Sequence, residues 1–295
     1  MSSPSQGKMP ALTTAQELID QAGDLATCPA IFTRLMECMD DPDVNFQEIG
    51  TVIQTDPALT TQVLRMVNSP FYGLSEKVAS ITHAIQIMGT HELSSIVLAT
   101  CVISHFKGIP ENLVTLEGFW YQSIGTAITA AIISEHHAPE KKPYLYTGGM
   151  IHDLGSLLIY THLPEQATQA LERCNEWGKE FTEAEKEALG FTHEEVGALI
   201  AERWALPELL KTIMAHHHAP LEAPRFQHEV AVVRLADYIA SNLQLGTTGE
   251  HLVREPAPEL MEKLEVTPEV LKTISDKTLL ACHQAFETLY PGRRS

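Results

Sequence analysis

From residue 15 onward, apolar residues recur along the chain at spacings of three and four, with capping residues and prolines between the runs. This is the pattern of helices that each bury one face. The spacing predicts helices over residues 46–54, 58–67, 81–88, 93–105, 117–136, 145–160, 164–177, 230–243 and 268–289. Two more are expected, one opening at Thr192-His193 and ending before Pro207, the next starting at Pro207 and ending in His216-His217-His218. Several boundaries have a mechanism. Asn45 can accept from the backbone N–H three residues on while Glu48 reaches back, Thr192 and Glu195 repeat that arrangement, and Asp56 caps a helix whose first position tolerates Pro57. Leu59, Val63, Leu64 and Val67 then share a face, and Pro70 stops the helix. The segment 117–136 carries small or apolar residues on several faces, including Gly125, Ala127, Ala130 and Ala131, and is the expected central helix. The fold class expected is all-α.

Prolines and polar linkers divide this pattern. Residues 1–14 lack a periodic apolar face and read as a tail; 15–110 form an N-terminal helical part, 111–245 a second helical part, and 246–295 a C-terminal helical extension. Leu271, Ile274, Leu279 and Phe286 of that extension need burial and are expected to fold it back onto the core. The 295 residues, 44% hydrophobic and 20% charged, suit a globular chain able to bury a sizeable core. The strongest apolar stretch, near 124–133, is far shorter than the ~20 residues of a membrane span. The N-terminus has no secretory pattern, so a cytoplasmic location is expected. A formal charge of −18 repels phosphate backbones and anionic headgroups, which argues against nucleic-acid and membrane-surface roles. The five cysteines are scattered and form no Cys-x-x-Cys pair; they read as reduced, with no disulfide framework and no thiolate zinc site.

Candidate chemistry lies with the 14 histidines, several of which stand beside carboxylates in the second part: His152-Asp153, His193, His216-His217-His218, and Asp237 in the helix after them. Imidazole nitrogens with carboxylate oxygens suit borderline first-row ions such as Fe, Mn, Ni or Zn. Spacing alone leaves two readings open. His152 and Asp153, taken within one continuous helix, project about 100° apart and are not the i, i+4 pair that most simply shares an ion. His193 can be a first-turn residue or a ligand, and His216 and His217 can serve a helix C-terminus or an ion, with His218 facing solvent. Asp237, inside the apolar run 230–239, needs a cation, a donor or a metal. Phe71, Tyr72 and Trp204 read as core anchors. Neither a Gly-x-Ser-x-Gly elbow nor a glycine-rich phosphate loop occurs.

The motifs His152-Asp153-Leu154-Gly155, His193-Glu194-Glu195-Val196-Gly197 and Leu235-Ala236-Asp237 resemble those of the HD phosphohydrolase superfamily. Together with Asp56-Pro57-Ala58-Leu59, Asn68-Ser69-Pro70-Phe71-Tyr72-Gly73 and Trp204-Ala205-Leu206-Pro207, they make the chain similar to HDOD domains, the HD-related output domains of bacterial signalling proteins, over about residues 20–245. The resemblance implies an HD-like helical core and a metal-ligand set of His152, Asp153, His193, His216, His217 and Asp237. Two departures bear on activity. Gln122 stands where catalytic HD proteins carry a histidine, and Ser156 stands where the cyclic-dinucleotide phosphodiesterase branch carries a lysine. The glycine-tyrosine-proline loop of that branch is replaced by His218-Ala219-Pro220. The resemblance therefore implies a noncatalytic signal-transduction module with no catalytic residues, which recognises regulatory or signalling proteins around a residual metal or small-molecule pocket. Any sensor is expected on a separate polypeptide. The alternative is a metal-dependent phosphohydrolase using the same six residues.

Overall fold

The computed structural model describes residues 14–289, except 40, 42, 70, 107–112 and 252, and contains no strand among them. The tail expected over 1–14, apart from Thr14, and the division expected near residue 110 lie outside the described residues. In chain order the helices are α1 (Ala15–Ala22), α2 (Ala30–Met39), α3 (Phe46–Gln54), α4 (Pro57–Val67), α5 (Ile81–Met88), α6 (Thr90–His105), α7 (Leu116–His137), α8 (Lys142–Ile151), α9 (Leu154–His162), α10 (Pro164–Trp177), α11 (Phe181–Leu189), α12 (His193–Arg203), α13 (Glu208–His216), α14 (Gln227–Asn242), α15 (Pro258–Lys263) and α16 (Pro268–Leu289). No described helix is long and apolar enough to cross a membrane.

The caps act where the sequence placed them. Asn45 Oδ1 accepts from the N–H groups of Gln47 and Glu48 while Glu48 accepts from Asn45 N, and Thr192 with Glu195 closes the same box at α12. Asp56 caps α4 with Pro57 at its first position. Asn68, ending α4, donates from Nδ2 to Leu64 O and Val78 O and accepts from Val78 N, so one side chain holds the turn against the incoming segment.

Helix α7 is the axle. It is buried continuously from Gln122 to Ser134 and packs against α8, α14 and α16. Glycines set the close approaches: a Cβ on Gly149 of α8 would lie 2.7 Å from the Ala127 Cα of α7. Helix α16 folds back along α7 and also reaches α4, with Thr278 Oγ1 3.1 Å from Thr129 Oγ1 and the Phe286 and Tyr121 rings tilted against each other, centroids 4.3 Å apart. Its buried stripe is Ile274, Thr278, Cys282 and Ala285, residues three and four apart. Leu271 and Phe286 are half-buried, but Leu279 is 51% exposed because it sits one residue, about 100°, around the helix from Thr278.

Two further differences from the sequence expectation position the site. The single helix expected over 145–160 is two helices, broken at His152-Asp153, where Asp153 adopts φ −99°, ψ 12° and the helical ladder lapses. Helix α11 lies outside the sequence expectation: nine residues between Gly178 and Gly190 are too short for a strong periodic signal, although Phe181, Ala184 and Leu189 form its buried side.

Candidate metal centre

The break between α8 and α9 turns His152 and Asp153 into one interior space instead of onto separate helix faces. Gly155, the second residue of α9, makes the close approach of α12 possible. A Cβ there would lie 2.0 Å from His193 O and 2.9 Å from Gly197 N, so only glycine lets the start of α9 press on the start of α12. The contact delivers His193 to Asp153. Helix α13 ends one residue before His217, and its terminus brings His217 and His218 to the same place.

One ligand-capable atom from each of Asp153, His193, His217 and His218 lies within 4.8 Å of the others. Asp153 Oδ1 is 3.4 Å from both His193 Nε2 and His217 Nε2, which are themselves 3.1 Å apart. On the other side, Asp153 Oδ2 is 3.7 Å from His152 Nε2, which is 3.6 Å from Asp237 Oδ1. Asp153 thus spans two halves, one of histidines and one completed by His152 and Asp237. Of the residues expected as ligands, His152, Asp153, His193, His217 and Asp237 lie around this one space. His216 does not join the four-residue convergence and is half-buried at the last position of α13, while His218, expected in solvent, is half-buried within it. A helix terminus rotates successive side chains by about 100°, so the pair aimed inward is 217–218 rather than 216–217.

Supporting groups fix which nitrogens face inward. His193 Nδ1 donates to Glu185 Oε2 at 2.7 Å, and the same oxygen accepts from His193 N at 3.0 Å. His152 Nδ1 donates to Gly149 O at 2.8 Å. In the neutral tautomers both Nε2 lone pairs therefore point into the centre. Glu194 Oε1 accepts from His218 N at 2.9 Å and lies 3.7 Å from His217 Nδ1. Glu185, fully buried on α11, escapes the sequence reading; its only signal is a position on the apolar side of a short helix, next to Ala184.

The electrostatics call for positive charge. His152 Nε2 is buried without a hydrogen-bond partner and faces two carboxylates. Burial disfavours the charged form of Asp153, yet the surrounding imidazoles hold its carboxyl well below the usual range. Burial likewise opposes charging His193, but Glu185 and Asp153 outweigh it and lift the imidazole to about 10. His218 moves the other way, pulled well below its usual value by burial and by His217 and His193, and is a neutral acceptor. Either protons or a divalent ion can supply the missing charge, and neutral imidazoles with carboxylate oxygens, backed by second carboxylates, are a donor set that fits a first-row ion.

The Asp237 half differs. Gln122, on α7, donates from Nε2 to Asp237 Oδ1 at 2.9 Å and to Ser241 Oγ at 2.7 Å, while Arg234 donates to Asp237 Oδ2 at 3.3 Å. Both oxygens of Asp237 already accept hydrogen bonds from the protein.

This geometry can be set beside known proteins. The profile of the HDOD domain matches residues 25–220, about two thirds of the chain. The chain belongs to the HDOD domain family. An HDOD domain protein of unknown function from Geobacter sulfurreducens has a similar structure, with a TM-score of 0.75 and 25% identity over 94% of this chain and 97% of that one. The fold is also shared with a candidate phosphohydrolase from Shewanella amazonensis SB2B, with a TM-score of 0.73 and 21% identity over 93% and 96% of the two chains. A candidate signal transduction protein from Marinobacter aquaeolei VT8 has a TM-score of 0.70 and 17% identity over 93% of this chain and 64% of that one. An uncharacterized protein of Treponema pallidum (strain Nichols) is 23% identical over 276 residues, and this chain spans about half of its length, 52%. Asp237 and the segment after it lie beyond the HDOD match.

Proposed function

We propose that this HDOD protein is a noncatalytic regulatory module of the cytoplasm. Its centre binds one divalent first-row ion, Fe, Mn, Ni or Zn, through Asp153, His193, His217 and His218, and its acidic surface recognises regulatory or signalling proteins. A bound ion would supply charge neutralisation and cross-link α9, α12 and the end of α13, so that the surface carried by these helices has one arrangement. The observation that carries the reading is Gln122. Where a hydrolytic relative would present an imidazole lone pair, this chain presents an amide N–H to Asp237, and any second ion would have to displace both that donor and Arg234. A single ion lacks the paired clamp on attacking and leaving oxygens that phosphoester chemistry gains from two.

Elemental analysis of protein purified without added metal, combined with turnover assays on phosphomonoesters and cyclic dinucleotides, tests this. One ion per chain and no turnover are expected, and pull-down from a native extract should recover signalling proteins. Two ions with turnover abolished by Asp153→Ala would overturn the proposal in favour of the phosphohydrolase reading. That second reading draws support from a cavity of about 600 Å³ beside His218, with Arg234 and Arg254 on its walls, and from Gln122 Oε1, a buried acceptor without a partner.

A further inference from the structure

The cavity of about 600 Å³ beside His218 has the volume of a small-molecule or short-peptide site. Its walls come from the turn over Pro220–Glu222, from Arg234 of α14 and from the segment that leads into α15. Charge on these walls is unevenly matched. Both arginines already face carboxylates: Arg234 donates to Asp237 Oδ2 at 3.3 Å, and Arg254 lies 3.0 Å from Glu180 Oε1 and also donates to Gly178 O. Glu222, on the turn, and Glu255, before α15, are exposed, and among the described residues no ion pair or hydrogen bond engages either carboxylate. Much of the remaining wall is apolar: Pro220, Pro256 and Leu260 are buried, and Leu221 leaves 42% of its surface in solvent. An anion entering here meets two unmatched carboxylates and arginines that are already paired. A wholly apolar ligand would desolvate those carboxylates without pairing them. A ligand with cationic groups beside an aliphatic one satisfies both kinds of wall, and the chain's formal charge of −18 draws it in.

We propose that this cavity is a docking site for a short segment of a partner protein in which arginine or lysine adjoins an aliphatic residue. The aliphatic side chain seats on Leu221 between the prolines' faces, and the cations pair with Glu222 and Glu255. Those two carboxylates select the partner, since they are the wall charges that nothing in the chain answers. His218, Ala219 and Pro220 are consecutive and all line the cavity, so a segment seated there lies against the histidine cluster. Glu222, Arg234, Arg254 and Glu255 lie beyond the HDOD match, which ends at residue 220, so the charges of the site belong to the part of the chain that follows the match. This docking role rests on the recognition of signalling proteins proposed above and gives that partner a chemistry. It also leaves Arg234 and Arg254, which a phosphohydrolase would turn toward its substrate, to their internal pairs.

The test uses the full chain stripped of metal and three acetylated, amidated tripeptides, each with a central leucine flanked by two arginines, two serines or two glutamates. Binding is read by ligand-observed NMR titration at fixed ionic strength. The arginine peptide should bind at least about tenfold tighter than the serine peptide, and the glutamate peptide more weakly than either. Glu222→Gln combined with Glu255→Gln should weaken the arginine peptide about tenfold, each exposed pair being worth a few-fold. Ala257→Trp, which fills the cavity from an exposed position on its wall, should abolish binding, and neither variant should move the melting temperature. Glu172→Gln combined with Glu176→Gln removes the same charge from exposed positions of α10 and should change the affinity less than about twofold. Equal losses in the two double variants overturn the proposal by assigning the effect to net charge. It is equally overturned by serine and arginine peptides of equal affinity, by native binding in Ala257→Trp, or by displacement of the peptide by equimolar phenyl phosphate, which would show the arginines free to take an anion. A chain that takes up no ion yet selects the arginine peptide would sink the metal reading and leave the docking site standing; one that holds its ion without that selection would do the reverse.

Discussion

The two halves of the centre share one carboxylate and little else. Around Asp153 Oδ1, three imidazoles converge; behind them Glu185 accepts from His193 Nδ1 and so aims its Nε2 inward, while Glu194 accepts from His218 N. Around Asp153 Oδ2, His152 turns Nε2 toward Asp237, whose oxygens already accept from the N–H donors of Gln122 and Arg234. The first half is a nest of acceptors that is stable only around positive charge; the second has had donors moved into the place of the charge. On the reading proposed above, a single amide at Gln122 retires one half while the other keeps its cradle, because close backbone contacts such as that of Gly155 with His193 O position the groups of both halves.

Removing the shared group should have the largest effect. Asp153→Ala takes the carboxylate from both halves, and metal content after dialysis should fall from about one ion per chain to below about 0.1, an affinity loss of more than about 100-fold, given that even supporting residues cost 10–100-fold. A variant that kept its ion would show that the histidine half does not depend on the bridge. Next comes the backbone contact itself. Gly155→Ala places a methyl group 2.0 Å from His193 O, a collision with main chain that no rotamer relieves. Urea denaturation should show a loss of about 3 kcal/mol, at the upper end of overpacking costs. An effect below about 1 kcal/mol, the lower end of that range, would mean that α9 and α12 can part without penalty, and the centre would then be looser than its distances imply. Smaller again is Glu185→Gln, which replaces the carboxylate holding His193 Nδ1–H with an amide of the same shape. Competition with a chelator should report metal affinity reduced about 10–100-fold, with the melting temperature nearly unchanged.

The same contrast explains what could be read from the sequence. Helix existence was legible where a cap and a period agreed at Asn45-Glu48 and Thr192-Glu195, since both are local and depend on few residues, whereas the short α1, capped by Thr14, was passed over. The central position of α7 comes from small residues on every face. The break at His152-Asp153 was not legible: Met150, Leu154 and Leu158, four apart, keep a helical period across it, and only the tertiary approach of α12 to Gly155 reveals the two helices. The choice between His216 and His218 failed for a related reason, because three consecutive histidines differ only in rotation about a helix terminus, which neighbours set. Glu185 was hidden by its company, a carboxylate on the apolar side of a helix too short to announce itself, whose role appears only when His193 is placed 2.7 Å away.

The smallest change tests the contrast most directly. Gln122→His restores the residue type that catalytic HD proteins carry at this position of α7, next to Trp120 and facing Asp237. Imidazole and carboxamide are similar in size, and α7 is held along its length by α8, α14 and α16, so the cost should be that of the buried hydrogen bonds to Asp237 and Ser241 that Gln122 gives up, about 1–2 kcal/mol. What changes is the sign of the group: an N–H pointing at Asp237 Oδ1 becomes, in the neutral tautomer, a lone pair available beside it. Arg234 still holds Oδ2, so the new half should bind weakly. Titration with Mn²⁺ or Co²⁺ should then resolve a second, weaker equivalent in the variant and one equivalent in the native chain. If the native chain already takes up two ions of comparable affinity, Gln122 is no barrier and the two halves are alike. If the variant still binds one, the barrier at the second half lies with Arg234, and Arg234→Ala added to Gln122→His is the change that should open it.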